Sequence, residues 1–241
     1  MNTFELDLAL GRKDGVSSFG RFGYNSAITA EETIWTLGGT YTFPPAATAM
    51  TVSSSSTADD FGSTGATTIS ITALDSDYNQ FTITKTLDGR TGVAIGTDII
   101  RVIRARVLTA GSGGTNAGII YIGSGTVTTG VPANKYTSIA AGDGQTNQCF
   151  YTVPANKRAF MVGYYVTAGK AAQTITYELF ARPFGEVFTV REHITAKEGA
   201  VYRKYDTYRE YFPKTDLMFN GTPDGGTVDV SAGFDLLLVD E

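Results

Sequence analysis

From Met50 onward the chain is a succession of short alternating segments rich in Thr, Val and Ile, cut by clusters of Gly, Pro, Asn and Asp. No other feature constrains the fold as tightly. Apolar residues at every second position put one face of a pleated strand into a core and the other into water, a period that a helix cannot use. Thr67-Thr68-Ile69-Ser70-Ile71-Thr72-Ala73-Leu74 alternates in this way, as does Phe81-Thr82-Ile83-Thr84-Lys85-Thr86-Leu87, with Asp75-Ser76-Asp77-Tyr78-Asn79 as the turn between them. Paired as a hairpin, they aim Ile69, Ile71 and Ala73 inward from one strand and Phe81 and Ile83 from the other. Lys85 then marks the end of the apolar face.

Further strands are expected at 99–108, 119–122, 148–153, 159–168, 174–181, 187–194, 201–205 and 227–239. Many short strands with turns about every ten residues predict an all-β fold, a β-sandwich with jelly-roll-like wiring. In 202–211, Tyr205, Tyr208 and Phe212 fit a strand and loop as well as two helical turns, and Pro213 ends any helix there. Val131-Pro132-Ala133-Asn134-Lys135 recurs as Val153-Pro154-Ala155-Asn156-Lys157; a single recurrence predicts one turn used twice rather than a repeat architecture.

The first 48 residues read differently. Arg21-Phe22-Gly23-Tyr24-Asn25 leads through Glu31-Glu32-Thr33-Ile34-Trp35 to Gly38-Gly39-Thr40-Tyr41-Thr42-Phe43-Pro44, with aromatic rings and the only tryptophan but no sustained period. Such a segment cannot bury its rings alone and must lay them on its own sandwich or on a neighbouring subunit. The expectation is an extended N-terminal docking arm over 1–48 and a β-sandwich body over 49–241, with two sub-lobes meeting near 153. Phe22, Tyr24, Ile34, Trp35, Tyr41 and Phe43 are the candidate partner-docking residues. Trp35 is expected to be an anchor whose loss leaves the body folded.

Composition bounds the chemistry. Within 241 residues there is room for one large all-β domain or two small ones. Charged residues make up 18% of the chain, below the usual quarter, which leaves a neutral polar surface suited to packing on other proteins. A net charge of −5 gives no general attraction for phosphate backbones, so no nucleic-acid partner is expected. On a strand, Arg104 and Arg106 share one face and Arg101 takes the other, which reads as a solvated strand face. A lone cysteine, Cys149, rules out an internal disulfide. The acidic start Met1-Asn2-Thr3-Phe4-Glu5-Leu6-Asp7 lacks the basic region of a secretory leader, and no run of eighteen apolar residues exists to span a membrane.

Reactive constellations are weak. His193 is the only histidine, and no G-x-S-x-G elbow accompanies it, so a catalytic triad is not expected. Cys149 enters a strand and reads as a small apolar filler. Asp75-x-Asp77-x-Asn79 opens like a calcium loop, but Gln80 stands where glycine is needed and Thr86 where the bidentate glutamate is needed. A turn explains it without metal. The pairs Asp59-Asp60 and Glu31-Glu32 read as solvated loop acids, and the stretches 53–65 and 111–118 as surface excursions. No enzyme activity, cofactor or metal is expected.

Phe22-Gly23-x-Asn25, the acidic pair, Ile34-Trp35 and Gly38-Gly39-x-Tyr41 are followed by Val52-Ser53-Ser54-Ser55 and Leu74-Asp75-x-Asp77-Tyr78-Asn79. Then come Arg101-Val102, Gly111-Ser112-Gly113-Gly114-Thr115-Asn116-Ala117-Gly118, Tyr151-Thr152-Val153-Pro154 and Val230-Ser231-Ala232-Gly233-Phe234-Asp235. This series resembles a family of virion structural proteins of tailed phages over nearly the whole chain. The resemblance implies a non-enzymatic particle component assembled in the host cytoplasm, foremost a capsid decoration or cement subunit. Its implied partner is the major capsid protein; the low charge density and the many short strands whose edges need cover add the expectation of a homo-oligomer, a trimer. A tail, fibre or head-vertex component of the same particle is the alternative, and outside that class a carbohydrate-binding β-sandwich module. Glycan binding would need aromatics gathered on one exposed face, which the sequence alone does not show.

Overall fold

The computed structural model describes residues 3–169 and 173–241. The chain begins with a short helix, α1 (Thr3–Ala9), and the strands β1 (Val16–Ile28) and β2 (Glu32–Thr33). Next come β3 (Thr48–Ser54), β4 (Ala66–Asp75), β5 (Gln80–Thr86), β6 (Val93–Ala110), β7 (Ile120–Thr128) and β8 (Val131–Ile139). The rest is β9 (Phe150–Thr152), β10 (Lys157–Ala168), β11 (Thr174–Arg182), β12 (Thr189–Lys197), β13 (Gly199–Tyr211), β14 (Asp216–Pro223) and β15 (Val228–Asp240). The fold is all-β, as the alternation predicts. It divides into two compact units, one made of Met1–Thr40 with Gln148–Glu241 and the other of Tyr41–Asn147.

The first unit is a two-sheet sandwich. One sheet has the order β1-β15-β10-β13, and the other β12-β11-β14-β2 with β9 also pairing β14. The antiparallel pairs nest: β1 with β15, β2 with β14, β10 with β13, β11 with β12. That nesting is one long hairpin rolled over a core, the wiring of a jelly roll. Its core is aromatic. Phe219 of one sheet lies 5.6 Å from Tyr164 and 6.4 Å from Phe234 of the other, and the Tyr177 hydroxyl crosses between the sheets to donate to the Thr167 carbonyl.

The second unit is a single antiparallel sheet, β5-β4-β6-β3-β7-β8. Here β6 is the hinge strand. Its N-terminal part pairs β3 and the remainder pairs β4, with register shifts on both sides. Bulges of this kind bend a sheet, and they let Met50, Val52, Ile69, Ile71, Ile122 and Ile139 join one buried cluster. The predicted hairpin is β4 with β5, paired from Thr68↔Thr86 to Leu74↔Gln80. Ile69, Ile71 and Ala73 are fully buried, and Phe81 and Ile83 pack partly buried against them.

The N-terminal segment departs from the expectation of an extended arm. β1 is a strand of 13 residues paired along its length with β15, so most of 1–48 is integral to the jelly roll. The remainder, from Tyr41, belongs to the second unit, which the chain enters from β2 and leaves before β9. The segment 202–211 lies in β13, a strand and not a helix. The repeated pentapeptide does not repeat its structure either: 131–135 lies within β8, and 153–157 is the connection from β9 into β10. Neighbouring strands, not five residues of local preference, set the conformation at each copy.

Candidate functional site

Four of the six expected docking residues are buried within the chain. Ile34 is fully enclosed, its amide donating to the Phe219 carbonyl and its carbonyl accepting from Cys149. Trp35 meets Phe150 edge-on at 5.9 Å and its indole donates to the Gly39 carbonyl at 3.1 Å. It is a core residue of the jelly roll. Tyr41 and Phe43 stack edge-to-face at 4.8 Å in the second unit, with the Arg101 guanidinium 5.0 Å above Phe43. Only Phe22 and Tyr24 remain exposed, both on the outward face of β1.

β1 has its residue types reversed relative to the usual half-buried strand. Its inward positions hold Arg21, Gly23 and Asn25, while its outward positions hold Phe22 and Tyr24. The inward choices have local causes. Arg21 donates from Nε to the Phe150 carbonyl, and Asn25 donates to Glu32. A Cβ on Gly23 would stand 2.2 Å from the Ile34 carbonyl oxygen and 2.5 Å from the Cys149 amide, so no side chain fits there.

Two charged residues expected in solvent are buried. Arg101 donates from Nη1 to the Pro44 and Ile100 carbonyls and lies against Phe43 and Tyr78, so it belongs to packing and not to a solvated strand face. Asp59 is fully buried and ties together the two stretches expected to be surface excursions. Its Oδ1 accepts from the amides of Ala66 and Ala117 at 2.8 and 2.7 Å, and its Oδ2 from the Gly118 amide at 2.9 Å and the Ser54 hydroxyl at 2.5 Å. Nothing in the sequence distinguishes Asp59 from Asp60.

The remaining candidates have structural settings. His193 pairs across the ladder with Glu178, Nδ1 to Oε1 at 3.3 Å. The Asp75 carboxylate accepts from the backbone amides of Asp77 and Asn79, closing the turn between β4 and β5. Cys149 is fully buried, and burial pushes its thiol well above the usual value. We expect no reaction with Ellman's reagent in the native protein and full reaction in denaturant. Rapid native labelling would overturn that placement.

The jelly roll is open along one long side, where β13 ends one sheet and β12 the other. A cavity of about 590 Å³ opens there, lined by Pro183, Glu186, Arg191, Glu192, Arg209 and Phe212. Glu192 accepts from the Tyr205 hydroxyl at 2.9 Å and from Arg203 at 3.2 Å. Burial, and then the bond to Glu192, raises the Tyr205 phenol; burial pushes Tyr211 up to about 12. Large apolar side chains stand exposed along this part of the chain: Phe184 62%, Val187 75%, Val190 48% and Phe212 55%. The ring of Phe212 is faced by Arg158 and that of Phe184 by Lys214, each at 5.0 Å. A shift in register opposite Met161 and Gly163 interrupts β13. Bulges blunt an edge against strand addition. Sequence reasoning missed this rim, although Phe184, Val187, Val190 and Phe212 cluster within thirty residues of charged sequence.

The chain is therefore an all-β protein with a jelly-roll unit and an exposed apolar rim. No family model matches it, and no curated protein matches it. Among solved structures, a chain of the infectious bursal disease virus Gx strain is similar at 10% identity, covering 98% of this chain and 78% of that one, with a TM-score of 0.26. The VP2 subviral particle of the same virus gives 8% identity, coverage of 100% and 78%, and a TM-score of 0.26. TM-scores this low do not establish a common fold. Among the described residues no helix is long and apolar enough to cross a membrane.

Proposed function

We propose that this chain is a virion structural protein without enzymatic activity, a capsid decoration or cement subunit that bridges neighbouring coat subunits. The observation that carries this reading is the side of the jelly roll bounded by β12 and β13, where Phe212 lines a cavity and the neighbouring stretch of chain exposes Phe184, Val187 and Val190. Exposed apolar side chains gathered near a concave surface with polar surroundings are what a docking interface requires. The coat protein is the partner at this rim, and further copies of the chain complete a homotrimer. A fibre, tail or head-vertex seat in the same particle would use the same rim.

The test is co-sedimentation of the purified chain with shells that lack it, wild type against the double variant Val190→Lys/Phe212→Ser. Both positions are exposed, so the variant is expected to melt within a few degrees of wild type and to bind at least tenfold more weakly. Full binding by a folded double variant removes the rim from the interface. Light scattering decides the oligomer, and a monomer at micromolar concentration overturns the trimer.

A further inference from the structure

The outward face of the sheet β1-β15-β10-β13 carries a row of rings that the sequence does not reveal, because its members lie far apart in the chain. Phe22 of β1 is opposite Gly233 of β15, Gly233 is opposite Tyr165 of β10, and Tyr165 is opposite Tyr202 of β13. All four positions therefore lie in one line across the sheet, on the same face. Tyr24 lies one pleat away on that face, beside Ser231 and Thr167. At about 4.8 Å per strand the row runs for roughly 14 Å.

Tyr165 lies down over its neighbour. A Cβ added to Gly233 would fall 2.4 Å from Cε1 and 2.8 Å from Cζ of the Tyr165 ring. The ring occupies the space that any other residue at 233 would fill, and it stays partly open to solvent. Phe22, Tyr24 and Tyr202 flank it at 38%, 43% and 65% exposure. The groups beside the rings are the hydroxyls of Ser231 and Thr167, and at the next pleat the Asp235 carboxylate and the Lys204 ammonium, the latter 3.9 Å from Glu5 of α1.

We propose that this face is a binding platform for a neutral glycan chain. Flat rings in a row offer their π faces to the C–H faces of pyranose rings. Hydroxyls, and at the margin the Asp235 carboxylate and the Lys204 ammonium, suit the sugar hydroxyls. A protein anchor needs a well-packed, desolvated pocket, whereas this surface is a broad sheet face, and its central two rows hold no formal charge for an anionic ligand. The site is separate from the apolar rim assigned to coat contact, so the two readings succeed or fail independently.

The experiment is isothermal titration of the whole chain with maltohexaose, cellohexaose and a chitin hexasaccharide, with Tyr165→Ala and Tyr202→Ser as variants. At least one oligosaccharide is expected to bind at micromolar to millimolar affinity, with a loss of at least tenfold in each variant. Tyr202 is mostly exposed, so its variant keeps the test valid even where Tyr165→Ala perturbs the sheet. No binding by any of the three sugars overturns the proposal, as does binding unchanged in a folded Tyr202→Ser protein. Loss of shell attachment in these variants without sugar binding also overturns it, by making the face a protein contact.

Discussion

Replacing Trp35 with Ala should destabilise the protein by about 3–5 kcal/mol, the range for removing a large buried ring and leaving a cavity. The indole lies against Phe150 and donates to the Gly39 carbonyl, so the variant loses packing and also leaves that carbonyl without its indole donor. Urea unfolding followed by far-UV circular dichroism measures the effect. A variant that unfolds at the wild-type midpoint would restore Trp35 to the surface and with it the docking arm. Trp35→Phe should recover part of the loss, because a ring of similar shape fills most of the space but has no N–H to donate.

Asp59→Ala should cost about 4 kcal/mol, close to the most a single site commonly contributes. The carboxylate accepts from Ala66, Ala117, Gly118 and Ser54, and an alanine there leaves the buried amides of Ala66 and Gly118, and the part-buried amide of Ala117, without it. Asp59→Asn should recover only part, since its amide nitrogen must face N–H groups that want an acceptor. Thermal melting of both variants tests the ranking, and proteolysis near 53–65 and 111–118 should accelerate as the two stretches lose their tie. Equal stability of Asp59→Ala and wild type would mean that the two loops hold together without it. Asp60→Ala is the control. Its carboxylate accepts from the Phe61 amide in an exposed setting, and its loss should be small.

The alternating segments determined the all-β class and located most strands of the second unit. The β4–β5 hairpin was legible because everything that forms it is local: a period of two on each side and an Asx turn in which Asp75 accepts from Asp77 and Asn79. The turn role of the Asp/Asn cluster follows from the same few residues. Cys149 as a buried filler was also readable, since a thiol at the start of an apolar strand has few other uses.

Tertiary structure decided the rest, and the reason is the same in each case. β1 hides its strand character because Gly23 must be small beneath Ile34 and Cys149, and Arg21 is partnered by Phe150, residues distant in the chain that define its inward face. With the polar groups inward, its aromatics point out, and a pattern reader mistakes a strand for an arm. Asp59 and Arg101 are buried because distant backbone groups supply their partners, information that no window of sequence contains. The cross-sheet row of Phe22, Tyr165 and Tyr202 is a consequence of register between strands separated by up to 180 residues. Alternation tells each strand which face it has; only the choice of neighbours tells it what lies beside that face.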